Sequence, residues 1–156
     1  MVILILGSKS DRDWGQKIAT HLTQFGLDYE IHVASAHKTP FHLLEIIKKY
    51  DCRKIPLVYI CIAGRSNALG GFVDASSSNP VINCPPQSDK FAGLDILSSL
   101  RMPSGVAPMT VLEPDQAALA AVKILSFGNK EIGKKVMLFQ KILREKVIND
   151  NKELSK

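Results

Sequence analysis

Cysteine is scarce in this sequence, whose 156 residues include only Cys52, Cys61 and Cys84. The number is odd and no CxxC pair occurs, so the spacing supports neither a disulfide framework nor a structural zinc site. We therefore expect three buried, reduced thiols.

Long apolar runs are also missing, because no stretch approaches the roughly 20 residues of a membrane span. The apolar residues 1–6 have no basic segment before them and no small-residue cleavage site after them, unlike a secretory signal. We expect a cytoplasmic protein that does not associate with membranes. At 156 residues and 46% hydrophobic, residues 1–156 have the size of one domain with a substantial core.

Basic residues are in excess mainly near the end of the chain. The formal net charge is +5, of which residues 130–156 carry +4. Acidic residues are interleaved with the basic ones there, and no series of aromatic side chains accompanies them. This pattern is typical of a solvated helix face, so we expect no nucleic-acid partner.

Strands and helices alternate along the chain. Apolar runs predict strands at residues 2–6, 29–34, 57–62, 80–83 and 106–112, and the first and third are continuously apolar, as in a sheet covered on both faces. Helical spacing of apolar residues predicts helices between Ser10 and Gly26, from Pro40 to about residue 50, over 94–100, and from Pro114 to about 127. The alternation indicates a three-layer α/β/α sandwich with a mostly parallel, five-stranded sheet in flavodoxin-like order.

One further helix is predicted over residues 130–149, with Ile132, Val136 and Phe139 on one face. A sheet with helices on both sides is already covered. We therefore expect this extra C-terminal helix to pack on a neighbouring subunit or across an edge of the sheet.

The first strand ends in the loop at residues 7–11, which contains Ser8, Ser10 and Asp11. Such a loop collects backbone N–H groups and two hydroxyls at a helix N-terminus, an arrangement that binds phosphate. The alternative is a plain strand-to-helix turn with Ser10 as the helix cap.

Two more loops follow the second and third strands. The loop at 35–40 carries Ser35, His37 and Lys38 before a helix that Thr39 caps and Pro40 begins. The loop at 63–71 carries glycines that permit close approach to a ligand, and its Arg65 can bind an anion through two hydrogen bonds. Carboxyl ends of parallel strands lie at one edge of the sheet, where such folds bind ligands. Ser88, Asp89 and Arg101 are later polar candidates for the same edge.

This set suits a phosphorylated, hydroxylated small molecule, since Asp11 can accept from a ribose diol and His37 titrates near neutrality. No Walker sequence, GxGxxG motif or metal-ligand cluster is present, so we expect no ATP, dinucleotide, other cofactor or metal. Two non-catalytic modules of this fold stay open. A phosphoacceptor receiver needs an acidic cluster, for which the first strand end offers only Asp11, and a flavin carrier has no need of His37 and Lys38.

Five motifs occur in order, at residues 7–11, 35–40, 63–69, 84–86 and 98–108. In their residues and spacing, positions 2 to about 125 resemble the phosphoribosylaminoimidazole carboxylase family of purine biosynthesis. The resemblance implies that His37 removes a proton during carboxylation and that Asp11 contacts the ribose. It also implies a homo-oligomer, expected to be an octamer. The other substrate-binding residues that it implies are Ser8, Ser10, Ser35, Lys38, Gly64, Arg65, Ser66 and Leu69.

The family has two branches that differ in substrate. The bacterial mutase branch usually has Arg at the position of Lys38 and Gly-Ala-Ala-His-Leu at residues 65–69. This chain has Lys38 and Arg-Ser-Asn-Ala-Leu instead, and is similar to the class II branch shared with the animal enzyme. The resemblance therefore implies direct carboxylation of aminoimidazole ribonucleotide by carbon dioxide, with N5-carboxyaminoimidazole ribonucleotide mutase activity as the alternative.

Overall fold

Five parallel strands form the central sheet of the computed structural model, which describes residues 1–155. Their order is β2-β1-β3-β4-β5, and each neighbouring pair is parallel. The predicted flavodoxin-like order is thus confirmed, with a sheet that is parallel throughout. The strands are β1 (Val2–Leu6), β2 (Tyr29–Val33), β3 (Val58–Ile62), β4 (Val81–Asn83) and β5 (Met109–Thr110).

Helices cover both faces of this sheet. The α-helices are α1 (Arg12–Gln24), α2 (Pro40–Asp51), α3 (Ala68–Ser76), α4 (Leu97–Leu100), α5 (Pro114–Ser126) and α6 (Lys130–Leu154). Short 3-10 turns precede α1 at Lys9–Asp11 and α4 at Lys90–Ile96. No helix within residues 1–155 is both long enough and apolar enough to cross a membrane.

The two faces of β1 belong to two separate cores. Val2, Leu4 and Leu6 pack with α1 and α5, whereas Ile3 and Ile5 pack with α2 and α3. Every residue of β1 and of β3 is buried. Burying a large aliphatic side chain contributes roughly 1.5–3 kcal/mol, so these strands anchor the loops that follow them.

Helix α3 was not predicted, because residues 63–71 read as one glycine-rich loop. The structure begins the helix at Ala68, and only Leu69, Gly70 and Val73 of it are buried. Two glycines lower the helix propensity of this segment. Their lack of a side chain lets the helix pack closely on the rest of the fold. Gly70 lies against Asn83 of β4, and Gly71 lies near Met102.

Three other predictions are corrected. Strand β5 is shorter than the predicted 106–112, because Pro108, just before it, has no backbone N–H to donate to the ladder. Ser10 does not cap α1, which begins at Arg12 after the 3-10 turn. Cys61 and Cys84 are buried as expected, but Cys52 is exposed just beyond the end of α2.

The C-terminal helix α6 is longer than predicted and has two different halves. Near its start Val136 is buried, and the ring of Phe139 meets Phe25 edge-on at 5.4 Å between centroids. Lys135 Nζ donates to the carbonyl of Phe25 at 2.8 Å. This half therefore packs on its own chain beside α1 and α5, whereas every residue from 141 to 155 is exposed.

Gly70→Ala tests the close packing of α3 on β4. A Cβ at this position would lie 1.6 Å from Oδ1 of Asn83, whose side chain is fully buried and cannot move into solvent. Overpacking typically costs about 1–3 kcal/mol, and we expect at least this loss in the free energy of unfolding, measured by urea denaturation.

Gly133→Ala in α6 is the matched control, since no atom lies within 4 Å of its added Cβ. It should leave stability unchanged or raise it by up to about 1 kcal/mol. A Gly70→Ala protein as stable as the parent would contradict the packing described here.

Candidate functional site

The loops after β1, β2 and β3 enclose a cavity of about 400 Å³ at the carboxyl edge of the sheet. The pairing of β1 with both neighbours sets these loops side by side. All ten residues proposed from the sequence line the cavity, together with Gly7, Ala36 and Ala63. The ten are Ser8, Ser10, Asp11, Ser35, His37, Lys38, Gly64, Arg65, Ser66 and Leu69.

The first loop is held close to the third. A Cβ on Gly7 would come within 3.1 Å of the Ala63 Cβ, and Gly7 N donates to the carbonyl of Ile62 at 2.8 Å. Ser10 donates to Ser8 Oγ from its backbone N at 3.3 Å and from its Oγ at 3.0 Å. The Ser8 hydroxyl proton is therefore available to an anion bound at this edge.

Asp11 is the half-buried acid of the cavity. Burial raises the pKa of its carboxyl above the ordinary value, while hydrogen bonding to Ser8 and Ser10 opposes the rise. Withdrawal from water disfavours the charged form. A bound ligand that donates hydrogen bonds to this carboxylate would compensate for the lost hydration.

The second loop is closed by hydrogen bonds among its own residues. Ser35 N donates to Thr39 Oγ1 at 2.9 Å, and Thr39 N donates to the carbonyl of Ser35 at 2.9 Å. Thr39 occupies the N-cap position of α2 but makes no capping bond with its side chain; the hydroxyl closes the loop instead. The turn leaves His37 and Lys38 exposed along the cavity wall.

Backbone strain marks the third loop. Arg65 has a φ of +59°, a left-handed conformation that non-glycine residues adopt at a cost. Arg65 and Ser66 are exposed, while Leu69 is buried in the first turn of α3 and forms an apolar patch of the wall. Nothing lies within 4 Å of a Cβ placed on Gly64, so this glycine borders open space.

A second cavity of about 350 Å³ adjoins the first and shares Ala63, Gly64 and Arg65 with it. Ser88 and Asp89, which the sequence suggested for the same edge, line this second cavity. Arg101 lines neither of the two. Ser88, Asp89 and Arg101 therefore do not line the cavity that contains His37 and the serine hydroxyls.

The first cavity combines three chemical functions. Hydroxyls of the serines, with the ammonium of Lys38, suit an anionic phosphate or carboxylate. Asp11 suits a pair of hydroxyl donors, and the imidazole of His37 can take or give a proton near neutral pH. The arrangement can therefore hold a phosphorylated sugar derivative with its reacting part near an acid-base group.

Residues that shape the third loop were not identified from the sequence. Ser98 and Ser99 in α4 hydrogen-bond to residues 65–67 across more than 30 positions of chain. Periodicity of apolar residues carries no signal for such contacts. Two consecutive serines in a segment with apolar neighbours were the only indication of an internal polar role.

Comparison with known proteins supports one family. The sequence model of AIR carboxylase matches residues 1–146. A phosphoribosylaminoimidazole carboxylase of Archaeoglobus fulgidus is 53% identical over 152 residues, which cover 97% of this chain and 83% of that protein. A phosphoribosylaminoimidazole carboxylase of Treponema denticola is 48% identical over 156 residues, which cover 100% of this chain and 98% of the relative.

The fold agrees with this assignment. The crystal structure of Treponema denticola PurE superposes with a TM-score of 0.97 at 48% sequence identity, over 99% of this chain and 98% of the other. Because both the family model and these relatives span most of the sequence, the chain is an enzyme of the AIR carboxylase family.

Proposed function

We propose that this enzyme carboxylates 5-aminoimidazole ribonucleotide with carbon dioxide, without ATP, to give 4-carboxy-5-aminoimidazole ribonucleotide. The observation that carries the proposal is that His37, the serine hydroxyls, Lys38 and Asp11 all line one cavity. Two similar proteins named phosphoribosylaminoimidazole carboxylase add support for the reaction.

Binding of the nucleotide follows from the groups on the cavity wall. Ser8, Ser10 and Ser35 donate to the phosphate or to the carboxylate, and Lys38 neutralises charge beside them. Asp11 accepts from the ribose hydroxyls. The apolar side chain of Leu69 and the open backbone at Gly64 border the space left for the imidazole ring.

The chemical step forms one bond and breaks one. The electron-rich ring carbon C4 attacks carbon dioxide, and the new C–C bond leaves both a hydrogen and a carboxylate on that carbon. His37 then removes the proton, and the C–H electron pair restores the aromatic ring. Among the loop residues, only His37 carries an imidazole, the side chain that proteins most often use for such proton transfers, since lysine is normally protonated.

The choice of carbon dioxide rests on the third loop and on Lys38. Residues 65–68 read Arg-Ser-Asn-Ala, and position 38 is Lys, as in the class II branch that the sequence resembles. Arg65 and Ser66 line the cavity beside Gly64. Three of the positions at which the two branches differ, Lys38, Arg65 and Ser66, therefore border the space in which the substrate would react.

The substrate assay separates the two branches. We expect product from aminoimidazole ribonucleotide in the absence of ATP, at a rate that saturates with dissolved carbon dioxide, followed by ultraviolet absorbance. The N5-carboxyamino compound, supplied in parallel, should be converted more slowly. Faster conversion of that compound would establish the mutase activity instead.

His37→Asn should abolish product formation while the nucleotide still binds. Removing a general base usually lowers the rate by about 10²- to 10⁴-fold, and a step without a substitute base should fall at the upper end. Single-turnover rate and nucleotide affinity are the measurements. His42→Asn is the control, because His42 lies in the first turn of α2, just after the loop of His37, and does not line the cavity. A His37→Asn rate within tenfold of the parent would exclude the assignment.

Asp11→Asn should weaken nucleotide binding and spare the fold. Loss of a charge-assisted hydrogen bond costs roughly 1.5–3 kcal/mol, a factor of about 10 to 150 in affinity. Asp13→Asn, two residues away and exposed, should bind normally, since Asp13 does not line the cavity. Calorimetric titration with the nucleotide distinguishes them, and unchanged affinity in Asp11→Asn would contradict the placement of the ribose.

The Asp11→Asn variant should also differ from the parent in how its stability depends on pH. Because burial raises the pKa of Asp11 in the folded state, the ionised carboxylate destabilises the fold at pH values above that raised pKa. Asp11→Asn should therefore unfold at a higher urea concentration than the parent at pH 7. The difference should vanish below the ordinary value of 3.8, where folded and unfolded chains are both protonated. A parent that is the more stable protein at pH 7 would contradict the direction.

We further propose that residues 1–156 form a single catalytic domain that assembles into a homo-oligomer, with an octamer expected from the family resemblance. The second half of α6 supports assembly, because Ile142, Leu143, Val147 and Ile148 are 47–67% exposed. Apolar surface of this kind commonly marks an interface.

Light scattering at micromolar concentration should give the mass of eight chains. Leu143→Lys combined with Val147→Lys should reduce this mass, whereas Lys146→Gln on the same exposed half should not. A parent that scatters as one chain would refute assembly.

A further inference from the structure

The hydroxyl of Ser98 ties the start of α4 to the third loop of the cavity. Its Oγ accepts from Asn67 N at 3.0 Å. The hydroxyl can donate its proton to the carbonyl of Arg65 at 2.9 Å or to that of Asp95 at 2.8 Å. The first two contacts join Ser98 to backbone groups on either side of Ser66. One side chain thereby fixes the backbone of the loop at two points.

A second tie runs beside the first and is buried. Asn67 Nδ2 donates to Ser99 Oγ at 2.8 Å, and both residues are only 2% exposed. Thr110 Oγ1 in turn donates to the carbonyl of Ser99 at 2.9 Å. The segment that includes Ser98 is thus held to β5 as well as to the loop, so it forms a firm support for the loop.

Arg65 is the residue of the supported loop with an unfavourable backbone conformation. Its φ of +59° is unfavourable for a side chain with a Cβ, and such conformations persist where surrounding contacts determine them. The bond from Ser98 to the carbonyl of Arg65 is a contact of this kind. Arg65 also lines both adjoining cavities, so a change in its backbone would change which cavity receives its guanidinium group.

We propose that Ser98 is a positioning residue that acts through Arg65: its hydroxyl holds Arg65 in the left-handed conformation that presents the guanidinium to the substrate. This inference rests on the proposed function, in which Arg65 contacts the anionic nucleotide. Ser98 itself lines neither cavity, so it touches no substrate and influences the reaction only through the loop.

A double-mutant cycle tests the coupling. Ser98→Ala should lower kcat/KM for aminoimidazole ribonucleotide at least tenfold, and Ser98→Thr, which keeps the hydroxyl, should recover most of it. In the Arg65→Ala background, Ser98→Ala should change kcat/KM by less than twofold, because the group through which it acts is gone. Independent, additive losses would overturn the proposal.

Ser126→Ala is the matched control, since its Oγ also donates to a backbone carbonyl, that of Lys123 at 2.6 Å, far from the site in α5. It should leave kcat/KM unchanged. A loss in this control equal to that in Ser98→Ala would show a general effect of removing helix hydroxyls and would overturn the specific role.

A crystal structure of Ser98→Ala separates this inference from the proposed function. We expect Arg65 to move to a negative φ. If Arg65 keeps its left-handed conformation, the inference fails whatever the activity. If Arg65 moves but the parent enzyme does not carboxylate the nucleotide, the proposed function fails and the positioning of the loop stands.

Discussion

The parallel pairing of β1 with β2 and β3 positions every loop of the cavity. Leu6 lies between Val33 and Ile62 at the carboxyl end of the three strands, so the loops that follow them begin within one sheet spacing of each other. Burial of all residues of β1 and β3 makes this arrangement rigid. Because a polar loop after a rigid strand cannot move far, the pairing of the strands brings the serine hydroxyls of the first two loops, the imidazole and the lysine ammonium into one cavity.

Electrostatics divides the carboxyl edge into two regions. The cavity at the carboxyl ends of β1, β2 and β3 is lined by Lys38, Arg65 and one half-buried acid, Asp11. Burial raises the pKa of the Asp11 carboxyl. The adjoining cavity is lined by the carboxylates of Asp89, Asp95 and Glu113. An anionic ligand is therefore attracted to the first region and repelled from the second. Arg65 lies on their boundary, which makes its conformation the structural feature that links the two regions.

The third loop is built differently from the first two. The loops at 7–11 and 35–40 are closed by hydrogen bonds within themselves, whereas the loop at 63–67 takes its shape from Ser98 and Ser99, more than 30 residues later. Gly70, in the helix that follows this loop, leaves room for the buried side-chain amide of Asn83. That amide has no hydrogen-bond partner within residues 1–155, so close contact rather than polar pairing joins α3 to β4.

The sheet order and the place of the cavity were predictable from the sequence, because buried parallel strands are continuously apolar and the polar loops after them meet at one edge. Most residues that line the cavity were predicted in the same way, but Ser88, Asp89 and Arg101 were expected at this edge and do not line it. Leu69 was identified only through the family resemblance. The helical spacing of apolar residues also predicted the amphipathic helices α1, α2 and α5. Other features of the fold follow from contacts that form only in the folded chain. Helix α3 contains two glycines that local propensity disfavours but that packing on Asn83 requires, and β5 extends only as far as pairing with β4 allows. The packing of the first half of α6 on Phe25 and the shape of the loop at Arg65 involve contacts between distant residues. Such contacts leave no periodic pattern, so sequence analysis does not detect them.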